Sequence, residues 1–466
     1  MQKKRFTKSL FIFRRDLRLE DNTALYKAFE ESEELCLFFL FTPEQIEKNP
    51  YRSNNALEFL FASLSDLQKR LQKGGRKLHI FYGEALVQLQ SVYQEYAFEA
   101  VFVNKDYTPY SRERDKKIED WCKKKAIQFQ SFDDTLLTVP EQTCKKDKTP
   151  YTVFTPYYHH VRVFPVRKPM YISLPHSTKD FTFSKEKNLS ELEFLFLPNR
   201  NAFLALKGGR KEGLKLLQEA WSRQNSYANE KDLPFKNATT KLSAHHKFGT
   251  ISIRETYHSF LSEVKDSETF LRQLYWRDFF VQIAYFFPHV FGHAFHKKYD
   301  ALHWEKNEKA FELWKEGKTG FPIVDAGMRE LKKTGFMHNR VRMIAASFLV
   351  KDLHIDWRLG EKYFAQQLID YDPCVNNGSW QWVASTGCDA QPYFRIFNPW
   401  RQQDRFDSEC LYVKYWLPEL EHLSPKEIHA LHKRFPLELE SVYPKPIVVH
   451  EDEAHKAFSL YCTLQK

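Results

Sequence analysis

Between Gly335 and Trp400, charged residues interrupt runs otherwise apolar enough to be core: Arg340 and Arg342, then Asp370 and Asp372. Trp357, Trp380 and Trp382 and the amides Asn376 and Asn377 sit among them. Removing one partner of a buried ion pair costs about 3–5 kcal/mol, so arginines and aspartates in a core pattern have something polar to hold. Arg342 needs an acid, and Asp370 or Asp372 can supply it, either as a structural bridge or as the wall of a polar site. Two further groups could do chemistry. In NATTKLSAHHKFGTISIRE (237–255), Thr239, Thr240 and Ser243 gather hydroxyls and amides just before a helix. That suits a phosphate and equally an ordinary N-cap. In FLRQLYWRDFF (270–280), Gln273, Trp276, Arg277 and Phe280 share one helix face. An amide, an indole and a guanidinium side by side can read and stack on a base, or can pack at a domain surface.

The elements that must position these groups are legible in the patterning. With 466 residues the chain has room for two or three domains. Residues 8–132 alternate short apolar runs with amphipathic stretches. SLFIF (9–13), LCLFFLF (35–41), LHIFY (78–82), AVFVN (100–104) and IQFQSF (127–132) read as strands buried on both faces. Asn54–Leu71 is the clearest helix, with Leu57, Leu60, Phe61, Leu64, Leu67 and Leu71 at three- and four-residue spacing. This alternation predicts a doubly wound, parallel, five-stranded sheet. FRRDLRLEDN follows the first strand where a GxGxxG turn would hold a dinucleotide, which excludes that mode of binding. Residues 133–200 lose the rhythm. Pro140, Pro150, Pro156, Pro165, Pro169, Pro175 and Pro198 suggest a long surface connector with one docked aromatic knot, YTVFTPYYHHV (151–161). From about 205 the pattern is helical, with candidates at 211–221, 252–265, 268–286, 307–316, 322–334, 339–352 and 360–369. The expected architecture is α/β plus all-α: an α/β domain at 7–133, a connector at 134–204 and a helical domain at 205–466.

Composition narrows the function classes. There are 70 basic and 60 acidic residues, net +10, which favours a polyanionic partner. Aromatics reach 16%, and only 15 glycines argue against a β-sandwich. The seven cysteines are scattered without a CxxC pair, so neither a zinc site nor a disulfide framework is indicated, and a reducing, cytoplasmic location fits. Arg14 and Arg15 end the first apolar run too soon for a signal peptide. No apolar stretch reaches the roughly 18 residues of a membrane span.

FRRDLRLEDN (13–22), TTKLSAHHKFG (239–249), WRDFF (276–280), EGKTGFPIVDAGMRELKKTGFMHNRVRM (316–343) and DYDPCVNNGSWQWVASTGCDAQPYFRIFNP (370–399) together resemble the DNA photolyase/cryptochrome family. The resemblance runs from residue 9 to about 420, and is strongest to the microbial cyclobutane pyrimidine dimer photolyases of the first class. It implies one FAD per chain, active when reduced, held U-shaped in the helical domain. By motif position Tyr227 and the run Thr239, Thr240, Lys241, Leu242 and Ser243 match the adenine-diphosphate cradle. Arg342 and Asp370 match an ion pair facing the isoalloxazine. Tyr371, Asp372, Gln273 and Asn339 are further cofactor contacts, and Asn376 matches the residue beside the reactive ring nitrogen. Trp380, Trp357 and Trp304 match a three-tryptophan chain that carries electrons inward; their sequence spacing says nothing about proximity. Repair then proceeds by flipping the dimer out of UV-damaged double-stranded DNA and passing it an electron from excited FAD. Trp276 and Trp382 pack against the flipped bases, and Asn339 and Met343 line the lesion pocket. Lys231, Arg277, Arg340, Arg395 and Gln402 contact DNA.

The chain departs from the family pattern at several positions. Gln273 stands where dimer-repairing members usually carry Glu. A Gln resembles the (6-4) photolyases and animal cryptochromes, and a reduced repair yield is expected. The (6-4) enzymes, however, need two histidines where this chain has Asn339 and Met343. A (6-4) product opens by proton transfer, for which imidazole is suited and Asn and Met are not. Lys241 replaces an Arg, keeping charge and losing the fork, and Phe336 stands where Trp is common. The non-enzyme alternative is a cryptochrome-type photoreceptor. Such proteins usually carry a C-terminal extension and often Asp or Cys at the position of Asn376. A single-strand-repairing cryptochrome is a third reading. Tyr110 and Ser111 occupy the positions of the Asn-Glu pair of folate-binding members, so a deazaflavin or flavin antenna is expected over methenyltetrahydrofolate. A monomer with no membrane association is expected.

Overall fold

The computed structural model describes residues 4–171, 181–222, 224–265, 267–390 and 395–464. Pro175 of the expected connector and residues 391–394 of the last family motif lie outside the described residues. The chain forms two compact units. The first comprises Met1–Asn201, Leu206–Trp221 and Thr240–Pro288, the second Ala202–Ala205, Ser222–Thr239 and His289–Lys466. The helical segment expected as one domain thus contributes to both.

The first unit is built on a sheet of β1 (Phe6–Phe13), β2 (Ser32–Phe41), β3 (Leu78–Tyr82), β4 (Ala100–Asn104) and β5 (Gln128–Phe132). All pairings are parallel, in the order β3-β2-β1-β4-β5. The order is that of a doubly wound sheet starting from its centre, as the strand–helix alternation predicts. β1 lies in the middle, with Leu10 paired to both Cys36 and Val101, and runs of Leu, Phe and Ile suit a strand covered on both faces. β5 corrects the expectation that every strand is buried on both faces. It is an edge strand, and Gln128 and Ser131 are exposed, as polar residues at an edge should be. The predicted helix spans Asn54–Lys73, capped by Ser53, whose Oγ accepts from Ala56 N at 3.1 Å. Phe59 takes a buried place there while Leu60 is half-buried.

The FRRDLRLEDN turn is a polar latch. Asn22 caps the helix Thr23–Glu31. The Arg18 guanidinium reaches Asp134 at 2.5 Å. Arg254 bridges Asp134 at 2.7 Å and Asp21 at 2.8 Å, and Arg210 pairs with Glu255 at 2.5 Å. Arg18, Asp21, Asp134 and Arg254 are all buried, so each charge depends on its partners. The network ties the loop after β1 to the helix Ile253–Glu263.

The connector is more ordered than its prolines suggest, with helices at Phe154–Val161 and Leu189–Phe196. The aromatic knot is docked: Phe154, Tyr157, Tyr158 and Val161 are buried, and Phe154 stacks on Trp276 at 3.6 Å and 8°.

The second unit is helical around a core of Trp314, Phe348, Leu349, Trp357, Phe364 and Trp380. The helix expected at 339–352 is α-helical only over Asn339–Ser347; Phe348–Asp352 forms a π turn. The wider turn seats two buried titratable side chains. Lys351 donates to Ala384 O at 3.2 Å, and Asp352 meets His450 Nδ1 at 2.5 Å on the helix His450–Cys462. The helix Pro373–Ala384 was not among the candidates, because its amides, serine and glycine give it little helical propensity. Its cap compensates: Asp372 accepts from Cys374 N and Val375 N at 3.0 and 3.2 Å, and Pro373 sits at the first helical position. Among the described residues no helix is long and apolar enough to cross a membrane.

Candidate functional site

Arg340, Arg342, Asp370 and Asp372 all lie in the second unit, and two of them pair. The helix Asn339–Ser347 starts on His338, whose Nδ1 accepts from Arg340 N at 3.2 Å. Burial lowers the His338 imidazole to about 4, so it caps as a neutral ring. From this helix Arg342 projects both terminal nitrogens at Asp370, with bonds of 3.2 and 3.0 Å, and gives its Nε to Met337 O at 2.8 Å. Of the two acids the sequence leaves open, Asp370 is the partner, while Asp372 is the N-cap. The Arg342 side chain is 24% exposed and Asp370 5%. A bidentate pair of this kind holds a guanidinium plane rigidly and leaves the cation at a surface.

Asn376 follows one turn into the helix Pro373–Ala384. Its Nδ2 donates to Glu361 O at 3.1 Å, which orients the carboxamide and makes Oδ1 its acceptor. Behind it runs a ladder. Asn377 Nδ2 donates to Glu361 Oε1 at 3.2 Å and to Val290 O at 3.0 Å, and Gln381 Nε2 donates to Asn377 Oδ1 at 3.0 Å. Burial pushes the Glu361 carboxyl up to about 7, against the Asn377 hydrogen bond. Glu361 and Gln381 were missed in the sequence. The available signal was the same as for Arg342: Glu361 occupies the buried stripe of its helix with Trp357, Gly360 and Phe364.

Trp357 and Trp380 are buried in one core, and Trp304 packs at its rim with a buried, unpartnered Nε1. Trp380 packs on Phe364 at 4.9 Å and on Trp314 at 6.3 Å. Gly360 makes room: a Cβ there would lie 2.2 Å from the Trp380 ring. Trp314, fully buried beside Trp380, is a neighbour the motifs did not point to.

Asn339 and Met343 stand one turn apart and touch, Nδ2 to Sδ at 3.8 Å. Arg340 and Lys231 share Asp232, at 2.9 and 2.6 Å, and Arg340 lies over the Phe406 ring at 4.4 Å. Burial works against the Asp232 carboxylate, yet the two cations outweigh it and hold the group below its ordinary range. Arg395 is exposed, 5.7 Å from the half-buried Trp382 ring, and Gln402 Oε1 is buried without a partner. Tyr227 is buried, which raises its phenol to about 12. Tyr371 is half-buried against the same core.

In the first unit, Thr240 Oγ1 accepts from Leu242 N at 3.3 Å, Lys241 is left-handed at φ 56°, and Ser243 begins a six-residue helix. Thr239 closes the preceding segment of the second unit. On the helix Glu268–Phe286, Gln273 is exposed and Trp276 and Arg277 half-buried. Two expectations need adjusting here. One face of Trp276 is occupied by Phe154. Arg277 turns inward, donating to Thr135 O at 2.7 Å with its side chain 14% exposed. Asp278 of the same motif accepts from Leu137 N at 2.7 Å, and burial raises it to about 6.

The donor set of the second unit suits a flavin. A fixed cation meets negative charge on a reduced ring, and an oriented carboxamide oxygen can accept a ring N–H. Comparison with known proteins agrees. Residues 9–170 match the family model described as DNA photolyase, and residues 270–463 that of the FAD binding domain of DNA photolyase. The chain is 39% identical over 473 residues to a deoxyribodipyrimidine photo-lyase of Alkalihalophilus pseudofirmus, covering 96% of each. It is 42% identical, with a TM-score of 0.88, to an archaeal photolyase from Sulfolobus tokodaii solved with two FAD molecules, covering 98% of this chain and 100% of the other. A bacterial class III photolyase from Agrobacterium tumefaciens matches at 33% identity and TM-score 0.91, over 100% and 98%.

Proposed function

Because the chain belongs to the DNA photolyase family, we propose that it is a light-driven lyase that repairs cyclobutane pyrimidine dimers in UV-damaged double-stranded DNA. The observation that carries the choice of lesion is the contact of Asn339 with Met343. Neither side chain exchanges protons near neutral pH, so a pocket they line has no acid for opening a (6-4) product. A cyclobutane dimer asks only for an electron and its return. Placement among first-class enzymes is part of the same proposal.

FAD, when bound, supplies the light-excited electron to the lesion. Arg342, locked by Asp370, and Asn376, locked by Glu361, hold the ring side of its site. Tyr227, the hydroxyls and amides from Thr239 to Ser243, Tyr371 and Asp372 are proposed for the rest of the cofactor. Trp380, Trp357 and Trp304 place oxidisable indoles from the core to its rim. Arg340 and Lys231 neutralise backbone phosphate, a contact that weakens with salt, and Trp382 offers a partly open ring to the lesion. Gln273 hydrogen-bonds a pyrimidine carbonyl but cannot give it a proton.

The test is light-dependent loss of cyclobutane dimers from irradiated duplex DNA on incubation with the purified protein. Absence of repair while the flavin still photoreduces would make the chain a photoreceptor. A flavin or deazaflavin antenna completes the proposal. The position of the folate-anchoring carboxylate holds Ser111, which donates to Asp106 at 3.0 Å, and the Sulfolobus relative carries a second FAD. An absorption spectrum of the extracted chromophores decides it. A monomer in the cytoplasm fits this role, and size-exclusion chromatography with light scattering tests the oligomeric state.

A further inference from the structure

A cavity of about 500 Å³ on the second unit belongs to none of the groups above; it is lined by Arg329, Lys332, Lys333, Tyr415, Trp416 and Pro418. Its walls follow from the local sequence. The helix Pro322–Thr334 ends in the basic pair Lys332 and Lys333, and the short helix Leu411–Trp416 packs beside it. Tyr415 is 69% exposed, and its ring meets Trp416 edge-on at 5.1 Å and 85°, so two ring planes form a corner. The Lys333 ammonium lies 6.0 Å from the Trp416 ring and 4.7 Å from Phe203, which is 63% exposed. Arg329 faces Glu419 and Lys332 faces Glu316, each at 2.7 Å. Partly exposed ion pairs are weak, so both cations can exchange a carboxylate for a phosphate.

Exposed rings alternating with cations have a cost if nothing covers them, and they match what holds an unpaired nucleotide: a ring for the base and a cation for its phosphate. The place on the surface agrees. The helix Leu411–Trp416 also packs against the turn Pro234–Lys236, which carries half-exposed Phe235. That turn directly follows Lys231 and Asp232, the pair joined to Arg340. From the Lys231–Arg340 pair the chain thus leads through the turn Pro234–Lys236 to the helix Leu411–Trp416 that forms one wall of the cavity. We infer that this cavity is a second nucleic-acid subsite that takes one unpaired, undamaged nucleotide of a DNA strand, its base against Tyr415 and Trp416 and its phosphate at Lys333 and Arg329.

The inference goes beyond lesion repair and does not depend on it, because the ligand carries no lesion. The test is fluorescence anisotropy of a labelled, undamaged oligothymidylate titrated with the FAD-loaded full chain. Tyr415→Ala is expected to weaken single-strand binding about fivefold or more through lost stacking, and Tyr415→Phe to restore it. Lys333→Glu, or Lys333→Ala if the first lowers the melting temperature, is expected to weaken binding about tenfold and to reduce the slope of log affinity against log salt by roughly 0.7. Both variants should bind lesion-bearing duplex within about twofold of the parent, each charge contributing little there beyond general attraction. Unchanged single-strand affinity in the variants would overturn the inference. So would equal losses for duplex and single strand, or displacement of the oligonucleotide from the parent but not the variants by a polyglutamate peptide alone, which would make the cavity an acidic-peptide site.

Discussion

Two buried polar clusters look alike in the sequence and differ in the structure. Both draw an arginine and an aspartate from family motifs, Arg18 and Asp21 in the first unit and Arg342 and Asp370 in the second. In the first unit, Arg18, Asp21, Asp134 and Arg254 close on one another, and their side chains are 6% exposed or less. In the second, Arg342 and Asp370 form a two-pronged pair that still leaves the guanidinium 24% exposed. The closed cluster spends every charge on protein partners and holds elements together. The open one keeps a cation and an oriented amide at a surface, where a ligand can meet them. A charge in a core pattern therefore marks a site only when its partners leave part of it open.

The largest expected effect breaks the closed cluster. Asp134→Ala removes the carboxylate that two buried guanidinium groups share, leaving Arg254 with Asp21 alone, and denaturant unfolding should show a loss of about 3–5 kcal/mol. Next comes Glu361, behind the open cluster. Its carboxyl is raised to about 7 in the folded chain, against about 4.3 unfolded, so between these values the unfolded state binds fewer protons. Stability from this group therefore falls as pH rises from about 4.5 to 7 and is flat above. Glu361→Gln keeps the acceptor for Asn377 and should stabilise by up to about 3 kcal/mol at pH 8, with no gain near pH 4; unfolding curves at the two pH values check it. Arg342→Ala takes the cation away from a carboxylate whose side chain is 5% exposed and should cost about 2 kcal/mol in unfolding, while the protein should purify with little flavin, read from its visible spectrum. Gln273→Glu is the smallest structural change. Stability should stay within about 0.5 kcal/mol while the quantum yield of dimer repair rises. A yield no higher than that of the parent would remove the role given to a carboxylic acid at this exposed position.

Much was legible in the sequence because much of the fold is local. The five strands and the helix at 322–334 follow from apolar period within a few residues. The pair Arg342–Asp370 was legible down to its two possible acids. The helix Pro373–Ala384 was not, since its stability comes from a cap and from burial that outweigh weak propensity. Glu361 stood in the buried stripe of its helix, whereas Gln381 and Trp314 were silent, because a side chain's partner across a packed core leaves no periodic trace.

By itself, then, the sequence determined the elements, the charges that need partners and the motifs that name the family, all properties of near neighbours along the chain. Tertiary structure alone decided that Arg277 turns inward, that Trp380 and Trp357 share a core with Trp304 at its rim, and that one charge cluster is closed and the other open. The physical reason is that burial and close approach depend on elements far apart in sequence.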